Sequence, residues 1–175
     1  MDITPYLAEF CRLFIFTVLL FSSLGKVRTF AQFRDDLTES LKVTKSIATV
    51  ATSALVTIEG LLAILLLMNS GLTYYAMLAA VVLFAGFTAW ISYSVIQSRL
   101  VRCNCFGQQD EYVSHLDIIR NGILLLASSF YLWAPKASPV PIAIQGLLLG
   151  MGLIAFLIVT NLKNITMVAR KPRDV

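Results

Sequence analysis

Charged residues are scarce in this chain. They make up 14% of its 175 residues, whereas a soluble domain usually has about a quarter. Apolar residues account for 58%, and several of the apolar runs are long enough to cross a bilayer. This balance excludes an ordinary soluble protein and predicts an integral membrane protein.

Cysteine and histidine are scarce as well. Three cysteines and one histidine are too few for a disulfide framework, and a structural zinc site is not expected without a second cluster of these residues. The net charge of +4 comes from basic residues in predicted loops and at the C-terminus, which is typical of membrane topology and not of nucleic-acid binding. Residues 1–9 contain no Lys or Arg, so we expect a retained first helix and not a cleaved signal peptide.

The apolar runs predict an all-α fold: a polytopic membrane helix bundle with four to five transmembrane helices, forming a single integral membrane domain over residues 1–175. The predicted spans cover residues 5–24, 47–68, 73–97, 115–133 and 141–162. Between the first two spans, four apolar residues recur at helical spacing, namely Phe30, Phe33, Leu37 and Leu41. This spacing predicts an amphipathic helix at the membrane interface.

Five spans would put the two termini on opposite sides of the membrane. Nearly all basic residues then fall on one side, and Lys136 is the only one on the other. The positive-inside rule makes the basic side cytoplasmic, and it predicts that Cys103 and Cys105 lie there. In the fifth span, Gly146 and Gly150 form a small-xxx-small pair, which favours close packing against another helix of the same chain over a dimer contact.

Charged residues inside the spans are costly and therefore informative. Glu59 and Arg12 have similar predicted depths in different spans, so we expect them to pair, either to fix helix register or to contact a proton or a quinone. Arg120 either extends to the lipid headgroups or faces the bundle and stabilises a thiolate. Cys11 is expected to be a buried packing residue. His115 either caps the fourth span or donates a proton in thiol chemistry.

The sequence RCNCFG, residues 102–107, lies in the longest polar interruption of the second half of the chain. Two cysteines one residue apart are typical of a redox or metal pair, and their disulfide would close a small, strained ring that is easily reduced. Arg102 favours a thiolate, and Gly107 lets the backbone turn. We interpret Cys103 and Cys105 as a redox pair; a structural disulfide, inert thiols and metal binding are the alternatives.

Four motifs together resemble a known family: Gly25-Lys26-x-x-x-Phe30-x-x-Phe33, Glu59-Gly60-Leu61-Leu62, Cys103-x-Cys105-Phe106-Gly107 and Arg120-Asn121. From about Leu7 to Trp133 the chain is similar to the methylamine utilisation protein family MauE, and to the wider MauE/DoxX-like group of redox-associated membrane proteins. The resemblance implies a multi-pass protein of the bacterial inner membrane. It also implies a role in the maturation or transport of the small subunit of methylamine dehydrogenase, together with a thioredoxin-like partner of the MauD type.

The resemblance also implies roles for individual residues. It makes Cys103 and Cys105 the redox-active pair. It makes Lys26, Glu59, Arg120 and Asn121 residues of the frame or residues that shape the site. Arg102, Phe106 and Gly107, which adjoin the two cysteines, are further residues that we expect to shape the site. A role in periplasmic disulfide exchange requires the cysteine pair outside, whereas the charge distribution predicts it inside, and these two expectations conflict.

Other functions are compatible with the sequence. A non-catalytic membrane scaffold or chaperone would use the cysteine pair only to fasten a loop. A quinone-linked thiol oxidoreductase for another secreted client would take a quinone as cofactor, with Phe106, Trp90 and Tyr93 as its lining. A small-molecule transporter is disfavoured, since the spans show no inverted repeat and few charges. The sequence itself demands no cofactor and no metal.

Overall fold

The computed structural model describes residues 3–68, 70–96, 115–134 and 140–161. These residues form six helices and no strand. The helices are α1 Thr4–Arg28, α2 Phe30–Leu41, α3 Lys45–Met68, α4 Thr73–Ile96, α5 His115–Trp133 and α6 Ile142–Thr160. The prediction of an all-α helix bundle is therefore confirmed.

Four of the described helices are long and apolar enough to cross a membrane: α1, α3, α4 over Thr73–Tyr93, and α6. Helix α5 does not reach the same hydropathy, because Asp117, Arg120 and Asn121 lie in its first two turns. Asp117 and Asn121 are both buried. The fourth predicted span is thus a helix whose N-terminal half carries polar residues that are shielded by the rest of the bundle.

Helix α1 lies at the centre of the bundle. In its most apolar stretch 67% of the residues are buried, compared with 28% in α3, 28% in α4 and 17% in α6. Helices α3, α5 and α6 pack around it, and α4 packs against α3 and α5. The apolar core joins Ile15 and Leu19 of α1 to Leu66, Met77 and Leu124 of the surrounding helices. Lipid tails are as apolar as leucine, so close packing and polar contacts must hold these helices together.

The ends of α1 and α2 follow from local sequence. Pro5 lies in the first turn of α1, where a missing backbone N–H costs nothing. At the other end, the Thr29 amide donates to the Gly25 carbonyl at 3.0 Å. Helix α2, which the spacing of its apolar residues predicts, ends at Lys42 in the left-handed conformation with φ 54°. This turn directs the chain into α3, against which α2 packs with Phe33 buried.

The glycine contact between α6 and α1 differs from the predicted one. A Cβ at Gly146 or Gly150 would meet no atom within 4 Å in the described part of the chain, so the prediction of close packing at these two glycines is wrong. The close approach occurs instead at Gly152, where a Cβ would lie 3.4 Å from the backbone of Phe14. Helix α6 is rotated so that Gly152, Leu148 and Phe156 are its buried residues.

Candidate functional site

A buried ion pair joins α1 to α3 near the end of the bundle where α1 terminates. The Lys26 ammonium donates to both carboxylate oxygens of Glu59, at 2.8 and 2.7 Å, and to the Ser22 hydroxyl at 2.6 Å. Lys26 is 0% exposed and Glu59 is 2% exposed. Ser22 and Lys26 lie one helical turn apart, so their side chains share one face of α1. The pair therefore meets the general requirement that a buried charge has both a countercharge and hydrogen bonds.

Two aromatic rings flank the Lys26 ammonium. Its nitrogen lies 5.8 Å from the ring centre of Phe33 on α2 and 5.7 Å from that of Phe87 on α4. Both distances allow a cation–π interaction. The charge is thus contacted by residues from four helices, α1 to α4, which makes it a point of convergence for the fold.

A small cavity opens beside this ion pair. Its walls are apolar residues of α1, α4 and α5, and its polar lining comes from Ser22, Lys26, Glu59, Arg120 and Asn121. The water-accessible volume is about 20 Å³, enough for about one water molecule. Ligand sites combine apolar walls with a few convergent polar groups in the same way, but they usually measure about 300–1,000 Å³, so this cavity has room only for a group of the size of water.

Arg120 faces the bundle. It lines the cavity, its side chain is 12% exposed, and its guanidinium lies 3.4 Å from the Asp117 carboxylate. Of the two orientations that the sequence leaves open, the structure shows the inward one and not extension to the headgroups. Tyr93, which the sequence offers as a ligand contact, is 52% exposed, and the α4 residues that line the cavity are Phe84, Phe87 and Ile91.

The predicted pairing of Arg12 with Glu59 is wrong. Arg12 pairs with Glu9 one turn earlier on α1, with 3.0 Å between Nε and Oε2, and it also donates to the Leu66 carbonyl of α3. The two helices are antiparallel, and Ser23 donates to the Val56 carbonyl at 3.1 Å. In this register Arg12 lies beside the C-terminal end of α3, more than a turn beyond Glu59. The prediction failed because it took the depths of Arg12 and Glu59 from the predicted starts of their helices, and not from the way α1 and α3 are aligned.

Some of the other residues singled out in the sequence lie in the described part of the structure, and some do not. Cys11 is 6% exposed, which confirms it as a buried residue. Lys26, Glu59, Arg120 and Asn121, four of the residues expected to shape the site, converge on one cavity. The predictions for Arg102, Cys103, Cys105, Phe106 and Gly107 lie outside the described residues, as does the one for the His115 side chain.

Sequence reasoning missed two residues that contact Lys26, Ser22 and Phe87. It also missed the other apolar residues that line the cavity, namely Val18, Phe84, Ile91 and Leu124. Ser22 had a signal, since it lies four residues before Lys26 and would be on the same helical face. Phe87 had none, because it is one of several aromatic residues in an almost uniformly apolar helix. Which face of such a helix turns inward cannot be read from its own pattern.

Comparison with known proteins identifies the family. Residues 4–134 match the family model described as methylamine utilisation protein MauE, which covers more than half of the chain. The match includes α1 to α5 and ends before α6. No curated protein and no solved structure matched the chain. With four helices apolar enough to span a bilayer and this family match, the chain is a multi-pass membrane protein that belongs to the MauE family of methylamine utilisation proteins.

Proposed function

We propose that the protein is a thiol–disulfide exchange factor of the membrane, with Cys103 and Cys105 as its exchanging pair. Its client would be the small subunit of methylamine dehydrogenase, whose maturation or transport it supports together with a thioredoxin-like partner. The family implies a role in methylamine utilisation, and the Cys-x-Cys pair lies within the residues that match the family. This coincidence of a redox motif with the matched region is the observation that carries the proposal.

The geometry of the neighbouring helices supports it. The segment with the two cysteines connects Ile96, the last residue of α4, to His115, the first of α5. Ile91 lies just before one attachment point, and Arg120 lies just after the other; both line the cavity beside the Lys26–Glu59 pair. The two helix ends to which this segment is attached are thus the ends nearest the Lys26–Glu59 pair.

The proposed reaction has two steps. A thiolate at one cysteine attacks a disulfide of the partner, so that a mixed disulfide forms and one partner sulfur leaves as a thiolate. The second cysteine then attacks the mixed disulfide, which releases the reduced partner and leaves a Cys103–Cys105 disulfide. Two electrons pass from the cysteine pair to the partner, and the same steps in reverse oxidise a client. Arg102 would favour the attacking thiolate.

The experiment replaces both cysteines with serine in a methylotrophic bacterium that lacks its own copy. We expect the Cys103→Ser/Cys105→Ser variant to lose the mature small subunit and growth on methylamine, while membrane levels of the variant stay normal. Cys11→Ser is the matched control, because this cysteine is buried in α1, and it is expected to retain function. Of the two single Cys→Ser variants, the one that keeps the attacking cysteine should accumulate a mixed disulfide with the partner, and the other should not.

A scaffold without thiol chemistry is the second candidate. It is favoured by the ion pairs within α1 and between α1 and α3. These pairs hold charged groups in the bundle, and no cysteine contributes to them. Full function of the double serine variant would establish the scaffold and refute the exchange reaction. Labelling Cys103 and Cys105 with a membrane-impermeant maleimide in intact cells, after reduction, would determine which side of the membrane the pair faces.

A further inference from the structure

Most of the described basic side chains pair with a carboxylate, but three do not. Arg28, Lys42 and Lys45 are exposed, and none of them forms an ion pair within the described part of the chain. A cation without a countercharge on the protein can bind an anion from outside it.

The three cations lie at one end of the bundle. Arg28 is the last residue of α1, and Lys45 is the first residue of α3. The two helices are antiparallel, so both residues are at the same end. Lys42 lies in the left-handed turn from α2 to α3. The cations therefore flank α2, with Arg28 before it and the two lysines after it.

Helix length places this end at the level of the lipid headgroups. The opposite end carries the exposed aromatic side chains of Tyr6, Tyr75 and Trp133, and Tyr and Trp are enriched at membrane interfaces. Along α1 the rise from Tyr6 to Arg28 is about 33 Å, which is close to the hydrocarbon thickness of about 30 Å. Arg28 therefore reaches the second interface when Tyr6 lies at the first.

The acidic residues near this end leave the three cations uncompensated. They all belong to α2, and none of them pairs with Arg28, Lys42 or Lys45; they are Asp35, Asp36 and Glu39. Asp35 is bound by Arg34, and Asp36 is half-buried. Acidic and basic groups are thus segregated, with the carboxylates along α2 and the unpaired cations at its two ends.

We propose that Arg28, Lys42 and Lys45 form a binding surface for the headgroups of anionic phospholipids. Each basic residue near such headgroups strengthens binding about fivefold. A zwitterionic headgroup gains less, because its own cation balances its phosphate. Val27 and Ile47, which are exposed in the same turns as Arg28 and Lys45, contact the acyl chains. This surface does not depend on the chemistry of the cysteine pair.

Native mass spectrometry tests the lipid preference. The protein is released from mixed micelles that contain equimolar phosphatidylglycerol and phosphatidylcholine, and the ratio of the two bound lipids is measured. We expect an excess of phosphatidylglycerol on the wild type, a ratio about fivefold lower in Lys42→Gln, and a ratio near one in Arg28→Gln/Lys42→Gln/Lys45→Gln. Added salt should lower the ratio of the wild type only, because salt screens exposed charges.

The control removes an ion pair from the same helix. Arg34→Gln/Asp35→Asn leaves the net charge unchanged and should keep the wild-type ratio. In phosphatidylcholine alone, every variant should unfold close to the wild-type midpoint, which separates lost binding from misfolding. A wild-type ratio of one overturns the proposal, and so does a triple variant that keeps the preference. Equal loss in the control also overturns it, since the preference would then come from α2 and not from the three cations.

Discussion

Helix α1 carries a buried ion pair near each end, and the two are built differently. Arg12 pairs with Glu9 within the helix and also bonds to the Leu66 carbonyl of α3. Lys26 has its carboxylate partner, Glu59, on another helix. The first pair is complete as soon as α1 is helical, whereas the second exists only when α1 and α3 are packed in the correct register.

The surroundings of the two ion pairs differ as well. Lys26 is contacted by aromatic rings from α2 and α4, and the cavity beside it is lined by polar residues of α5. A polar contact between helices specifies one register, because a shift along the helix would leave the charge unpaired in an apolar bundle. We conclude that Lys26–Glu59 sets the arrangement of the site, whereas Glu9–Arg12 mainly neutralises a charge. Four stability measurements can break or sharpen this contrast.

The largest loss is expected for Glu59→Gln. It leaves the fully buried Lys26 ammonium without a countercharge, and breaking a buried ion pair in this way costs about 3–5 kcal/mol. Equilibrium unfolding in mixed micelles measures it. The control is Lys26→Met combined with Glu59→Leu, which should recover most of the loss, since replacing both partners with apolar residues is often neutral. A single variant as stable as the wild type would refute the assigned role.

A smaller loss is expected for Glu9→Gln, the same chemical change at the other pair. We expect about 1.5–3 kcal/mol, the typical cost of losing a hydrogen bond to a charged group. Arg12 keeps its hydrogen bond to the Leu66 carbonyl, and the amide oxygen introduced at position 9 can still accept a hydrogen bond from the Arg12 guanidinium. The same unfolding measurement applies. A cost equal to that of Glu59→Gln would remove the distinction between the two pairs.

A third, smaller effect concerns the ring of Phe87. Its cation–π contact with Lys26 should contribute about 0.5–2 kcal/mol. The measurement is a double-mutant cycle: Phe87→Leu is compared in the wild type and in the Lys26→Met/Glu59→Leu background, where no cation is present. Equal costs in both backgrounds would mean that the ring contributes packing alone.

The smallest effect is expected for Asp35→Asn on α2. The Arg34 guanidinium lies 2.8 Å from the Asp35 carboxylate, almost as close as the Lys26 ammonium lies to the Glu59 carboxylate. The side chains of Arg34 and Asp35, however, are 27% and 53% exposed. Exposed ion pairs contribute only about 0–1 kcal/mol. Unfolding at low and high salt tests this, since any contribution should disappear as salt rises. A loss near that of Glu59→Gln would show that burial is not the deciding variable.

Much of the fold could be predicted from sequence, because apolar runs and charge spacing report on local structure. The recurrence of Phe30 and Phe33 at helical spacing predicts helix α2. The position of Glu59 in an apolar run predicts that its carboxylate has a partner inside the bundle. The family could be recognised from short motifs, one of which contains Lys26. These features depend on residues that are close in sequence.

The partner of Glu59 could not be predicted in the same way. Arg12 and Lys26 are both basic residues of the first helix, and the choice between them depends on the register of α1 against α3. An error of a few residues in the alignment of the two helices changes the depth assigned to a side chain by a full helical turn. The contact surface of α6 was mispredicted for a similar reason, since Gly152 and Gly150 lie on different faces of one uniformly apolar helix.

The distance in sequence between Lys26 and Glu59 has a consequence for how the protein is made. They are 33 residues apart, and a ribosome adds about 5–20 residues per second, so the carboxylate is synthesised about 2–7 seconds after the lysine. During that interval the carboxylate that pairs with Lys26 in the folded protein has not yet been made. Because Lys26 lies in the last turn of α1, its long side chain can extend to the headgroup region until α3 enters the bilayer. Burial of Lys26 is therefore a late event of membrane insertion.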